Sequence, residues 1–222
     1  MKRALALLAL SFSVPIPSVG VSSDCQGKVL FEDNFKKADP AWALDTDATV
    51  GDGKLIIKVA PDKVVTRQYQ GDAFPDGIQI CATLKLVSAA QPSDPQDFHY
   101  AGIIFWARDY QSNQMLLVSD IGKFSVARRL TSDRQITPIP WQESAAINKG
   151  VGQVNALRII INGNQARLYI NGKEVGKVSG QTPEGGNLVG FWAVASSKSA
   201  CTWELSNFVV SLPGEIPASP AA

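Results

Sequence analysis

From about residue 28 onward, apolar and polar residues alternate in short runs separated by turn residues. Lys54–Val59 places Leu55, Ile57 and Val59 on one side and Lys54, Ile56 and Lys58 on the other. Ile78–Leu86 sets Ile78, Ile80, Ala82, Leu84 and Leu86 against Gln79, Cys81, Thr83 and Lys85. A period of two predicts a strand with one face in a core. Gly51-Asp52-Gly53 predicts a turn before the first of these strands. Asn162-Gly163-Asn164 and Asn171-Gly172-Lys173 divide Leu157–Ile161, Ala166–Ile170 and Glu174–Val178 into an antiparallel meander. Asn-Gly pairs supply the positive φ that tight hairpins need. Further strands are expected at Val29–Phe35, Val64–Tyr69, Ala101–Arg108, Gln114–Ser119, Lys123–Arg128, Leu188–Ala195 and Thr202–Leu212. Pro138-Ile139-Pro140-Trp141 reads as a rigid loop. About a dozen punctuated strands, with no long capped helical period, predict an all-β antiparallel sandwich or barrel.

Composition narrows the chemistry. The chain has 222 residues, 45% of them apolar, which suits one substantial core and excludes an intrinsically disordered chain. The net charge of +1 lacks the basic excess of a dedicated nucleic-acid binder. One histidine, His99, and three cysteines exclude a multi-histidine or four-cysteine metal site within the chain. No metal or cofactor is therefore expected. Residues 1–22 read as a signal peptide, with Lys2 and Arg3 ahead of the apolar run Ala4–Val14 and cleavage between about Gly20 and Ser23. The expected folded domain is 25–212, and the Pro/Ala/Ser-rich residues 213–222 read as a disordered tail. No other stretch is apolar and long enough for a membrane anchor. A secreted or periplasmic address makes one disulfide and one leftover thiol the natural reading of Cys25, Cys81 and Cys201.

Several short motifs then fall in a familiar order. Phe31-Glu32-Asp33-Asn34-Phe35 and Gly53-Lys54-Leu55 come first. Ala101-Gly102-Ile103-Ile104-Phe105-Trp106-Ala107 and Asn155-Ala156-Leu157-Arg158 follow. Tyr169-Ile170-Asn171-Gly172-Lys173-Glu174-Val175 and Asn207-Phe208-Val209-Val210 complete the order. Over residues 28–212 the chain resembles the concanavalin A-like, or laminin G-like, jelly roll. It is most similar to the exported bacterial branch known as the 3-keto-disaccharide hydrolase domain. The resemblance implies two antiparallel sheets, first and last strands paired, and a concave face where relatives hold sugars. It also implies Cys25–Cys81 as the disulfide with Cys201 free, and leaves Cys25–Cys201 as the alternative.

Candidate binding residues follow from alternation. Ala101, Ile103, Phe105 and Ala107 are the expected core side of their strand, which leaves Trp106 and Arg108 together on the other. An indole packs on the C–H face of a sugar while a guanidinium donates to its hydroxyls. Trp192 is a second platform candidate, Trp141 a groove wall, Arg128 an anion or keto-oxygen partner, Asp120 a hydroxyl acceptor, and Tyr100 a border residue after the loop Ser88–Phe98. Trp42 and Trp203 are assigned to packing. No catalytic residue is assigned. A retaining glycosidase needs two carboxylates close together across the bond, and no glutamate stands in an E-x-D-x-x-E run. No G-x-S-x-G elbow exists for a serine nucleophile. The expectation is a non-catalytic carbohydrate- or envelope-binding module. The alternatives are an enzyme acting on 3-keto-disaccharides, with His99, Asp109 or Asp120 as base, and a protein-binding structural module.

Overall fold

The computed structural model describes residues 25–90, 94 and 96–214. The expected signal segment lies outside them, as does the expected tail beyond Gly214. Fourteen strands and one short 3₁₀ turn, Pro40–Trp42, make up the domain. The strands are β1 (Val29–Asp33), β2 (Ala48–Gly51), β3 (Lys54–Val59), β4 (Val64–Gln68), β5 (Gln79–Ala89), β6 (Tyr100–Asp109) and β7 (Ser112–Ser119). They continue as β8 (Lys123–Arg129), β9 (Gln135–Glu143), β10 (Val154–Asn162), β11 (Gln165–Ile170), β12 (Lys173–Ser179), β13 (Leu188–Val194) and β14 (Cys201–Ser211).

The strands form two antiparallel sheets, a sandwich rather than a barrel, which is one of the two architectures the alternation predicts and the jelly roll the resemblance implies. The eight-stranded sheet runs β12-β11-β10-β5-β14-β3-β2, with β1 also pairing β14. The six-stranded sheet runs β4-β13-β6-β7-β8-β9. Ile57, Ile80, Leu84, Leu157, Leu168 and Leu205 from the first sheet meet Ile103, Phe105, Leu116, Val126, Val189 and Phe191 from the second in one continuous core. Trp42 and Trp203 are buried in it as expected. Asn171-Gly172 turns β11 into β12 with positive φ at both residues, as a type I′ hairpin requires, whereas only Gly163 is positive in the β10–β11 turn.

The first and last strands are neighbours, with Glu32 opposite Val209 and Val209 in turn opposite Cys81. That brings Cys25, just ahead of β1, to Cys81, and the two form the disulfide. Cys201, at the other end of β14, is buried and free. Burial pushes its thiol up to about 12, which leaves it unreactive.

Two expectations about elements are corrected. Residues 138–141 are part of a strand, β9, and not a loop. β9 is the last strand of its sheet, and an edge is where prolines fit, because one side of an edge strand has no partner to receive N–H groups. The second correction is β2, an unpredicted four-residue edge strand that hairpins onto β3 through Asp52 and Gly53, both at positive φ.

Candidate functional site

The outer face of the six-stranded sheet carries a second, smaller apolar layer. Ile104, Ala107, Met115, Leu117 and Ala127 are nearly or completely buried there, apart from the main core. In-register pairing puts Ile104 beside Met115 and Met115 beside Ala127, so the layer is a floor across β6, β7 and β8. Four partly buried side chains stand over this floor: Tyr100, Trp141, Leu188 and Trp192.

Trp192 takes the outer face because Val189, Phe191 and Ala193 fill the core side of β13. The Arg129 guanidinium lies 5.3 Å from its ring centroid, in cation–π range. The contact links β13 to β8, three strand spacings or about 14 Å apart. It passes across the floor from both sides. Trp192 and Arg129 also line a cavity of about 420 Å³ with Thr66, Asp133 and Arg134. At the floor's other end Trp141 meets Phe98 and Tyr100 edge to face, with centroids 5.0 and 5.1 Å away. Burial raises the Tyr100 phenol, so it stays a neutral hydroxyl.

Trp106 is not on this face. Simple alternation expects it beside Arg108 and opposite Phe105, but β6 shifts register between Phe105 and Asp109. Trp106 itself has φ 44°, a strained left-handed value for a bulky residue. A bulge inserts one extra residue and re-aims the side chains after it. Phe105 and Trp106 therefore both join the main core, while Ala107 turns to the outer floor. The indole is 4% exposed, and Gly180 has no Cβ because one would run into it.

Trp106 instead reaches the open end of the sandwich, in the wall of a polar cavity of about 350 Å³. Arg108, Arg128, Arg129, Gln114 and Glu184 line it too. Three buried polar atoms in that wall have no hydrogen-bond partner among the described residues: Trp106 Nε1, Gln114 Oε1 and Asn113 Oδ1. Asn113 spends its amide N–H groups on the Asp109 and Tyr110 carbonyls, which fixes its oxygen as the free atom. Arg108 is paired with Asp109 at 3.0 Å. Arg128 and Arg129 have no carboxylate within ion-pair distance among the described residues, and Arg129 donates to the Ser132 carbonyl.

The expected site residues thus separate into two groups. Trp106, Arg108 and Arg128 converge on the end cavity, and Trp192, Trp141 and Tyr100 on the outer floor. Arg129 lines both cavities and joins the groups. It is the arginine that the sequence reading passed over for Arg128. Phe124 and Val126 face the core, so the alternation of β8 already puts Ala127 and Arg129 outside and Arg128 on the core side. Asp120 lines neither cavity. It is 8% exposed, held through its backbone by His99 and Gly150, and burial pushes its carboxyl above the usual range. His99 is fully buried, with Nδ1 accepting from the Ser196 N–H and Nε2 at 3.2 Å from the Ser199 hydroxyl. The contributions of Asn113, Gln114 and Glu184 had no sequence signal, because the bulge and the loop after β12 create the cavity they line.

No family model and no curated protein matches the chain. Solved structures do. The carbohydrate recognition domain of Emp46p aligns with a TM-score of 0.61 at 10% identity, covering 82% of this chain and 95% of that one. The catalytic domain of an endo-1,3-beta-glucanase (laminarinase) from Thermotoga petrophila gives 0.56 at 11% identity, over 83% and 97%. The carbohydrate binding module CBM66 from Bacillus subtilis gives 0.52 at 10%, over 69% and 85%. At such identities the likeness defines the class of fold, a jelly-roll β-sandwich. The narrower likeness to the 3-keto-disaccharide hydrolase branch rests on the motifs alone.

Proposed function

We propose that the chain is an exported glycan-binding module whose ligand lies on the outer face of the six-stranded sheet. The observation that carries this reading is the partly exposed Trp192 ring, with Arg129 against it, over an apolar floor. A sugar ring stacks its C–H face on an indole, and a guanidinium beside it donates to hydroxyls. Tyr100 and Trp141 extend the aromatic surface along the floor. The carbohydrate-binding and glycanase domains among the similar structures favour the same ligand class. The Cys25–Cys81 disulfide fits an oxidising compartment and so an exported protein.

A glycan panel followed by tryptophan fluorescence tests the reading. At least one oligosaccharide should bind, and Trp192→Ala should weaken it by about tenfold or more, as truncation of an anchoring aromatic does. Unchanged binding in that variant, or no bound glycan, rejects it. Consumption of a 3-keto-disaccharide by the intact protein would move the assignment from module to enzyme.

A further inference from the structure

The end cavity and the Trp192 cavity share Arg129, so they adjoin at that side chain. Their combined charge is uneven. Arg108, Arg128, Arg129 and Arg134 stand against Asp133 and Glu184. Arg108 already has Asp109, and Asp133 accepts from the Thr131 hydroxyl at 2.7 Å. Arg128, Arg129 and Arg134 are left without a carboxylate within ion-pair distance among the described residues. The whole chain is nearly neutral, so this excess is local.

The wall beneath these arginines is also unfinished. Trp106 Nε1, Gln114 Oε1 and Asn113 Oδ1 are buried without partners, on residues at most 4% exposed. A buried polar atom without a partner is costly to the folded state, and Trp106 is held there by a strained bulge. Bulges and strained backbone concentrate at binding sites, where they aim a side chain. The volume of about 350 Å³ falls at the small end of ligand pockets, about 300–1,000 Å³.

We infer that the two cavities form one site for an anionic saccharide, with one sugar stacked on Trp192 and the acidic group of its neighbour held by Arg128 and Arg129 at the sandwich end. This rests on the glycan-binding reading and names the class of glycan. The anion is a carboxylate, as in a uronic acid, or a sulfate ester. Both match the paired N–H groups of a guanidinium.

The test uses matched pairs: oligogalacturonides against their methyl esters, mannuronan against mannan, and dextran sulfate against dextran. Calorimetry on the full chain should show an acidic member binding about tenfold or more above its neutral partner. That preference should shrink as sodium chloride rises from about 50 to about 500 mM. Arg128→Gln should abolish the preference while leaving the neutral partner's binding, and Arg128→Lys should keep part of it. Circular dichroism confirms that both variants fold. A preference within the uronate pairs or within the sulfate pair identifies the anion. Equal binding of acidic and neutral members overturns this inference and leaves the glycan reading standing. Failure of every saccharide to bind removes both.

Discussion

The outer faces of the two sheets carry the same kinds of side chain in different states of pairing. On the eight-stranded sheet, Arg158 and Arg167 flank the Tyr169 ring, with centroid distances of 5.8 and 5.5 Å. Arg158 donates to Gln79 Oε1 at 2.9 Å, Arg167 pairs with Glu174, and the Tyr169 hydroxyl donates to the same carboxylate. Glu204 accepts Lys54 at 3.1 Å. On the six-stranded sheet Arg129 sits on Trp192, and no carboxylate among the described residues answers it. An arginine beside an aromatic ring therefore says little on its own. What separates the faces is whether the chain's own residues consume the hydrogen-bonding capacity. The first face is closed on itself, while the second leaves part of that capacity unused among the described residues.

This division breaks most readily at the disulfide, which belongs to the closed side. Closing a separation of 56 residues restricts the unfolded chain by about 4 kcal/mol. Replacing both Cys25 and Cys81 by alanine should lower stability by about that amount in urea denaturation. Glycan affinity of the folded fraction should not change, and a parallel loss of affinity would show the faces to be coupled. The next largest effect is expected at Gly180, where an added Cβ meets the Trp106 ring and Gln114. Gly180→Ala should cost about 1–3 kcal/mol by overpacking and weaken acidic glycans more than neutral ones. A neutral effect on both would detach Trp106 from the site.

Alternation conveyed most of the architecture because each sheet has one face in the core. Lys54–Val59 coincides with its expected strand, and most of the others differ by a residue or two at their ends. The failures have local causes. β9 was hidden by two prolines, which an edge strand tolerates. Trp106 was misplaced because a period-two argument cannot register one inserted residue, and every side chain beyond a bulge changes face. Arg129 was legible, since the bulky Phe124 and Val126 fix the phase of β8. Trp192 was half legible: both faces of its strand are rich in apolar residues, and only the packing of Phe191 in the core decides between them. The unpartnered atoms of Asn113 and Gln114 depend on loops meeting a strand end, which no local pattern encodes.

The smallest effect, and the sharpest on the closed face itself, concerns pH. The hydrogen bond from Arg167 holds the Glu174 carboxyl below its usual value of 4.5. A carboxyl depressed in the folded state binds its proton more readily when unfolded, so ionisation favours folding. That contribution is complete above about pH 4.5 and is lost as pH falls through the lower folded value. The pair is partly solvated, with side chains about a third exposed, so the whole contribution should not exceed about 1 kcal/mol. Glu174→Gln should therefore lower the urea midpoint slightly at neutral pH and match the parent protein well below pH 4. Asp120 opposes it, because burial raises its carboxyl and its ionisation weakens folding as pH rises. Asp120→Asn should then leave the mutant steeper on the acid side than the parent, whereas Glu174→Gln should leave it flatter. Identical acid limbs in the two variants would show that neither carboxyl is set by the surroundings described for it.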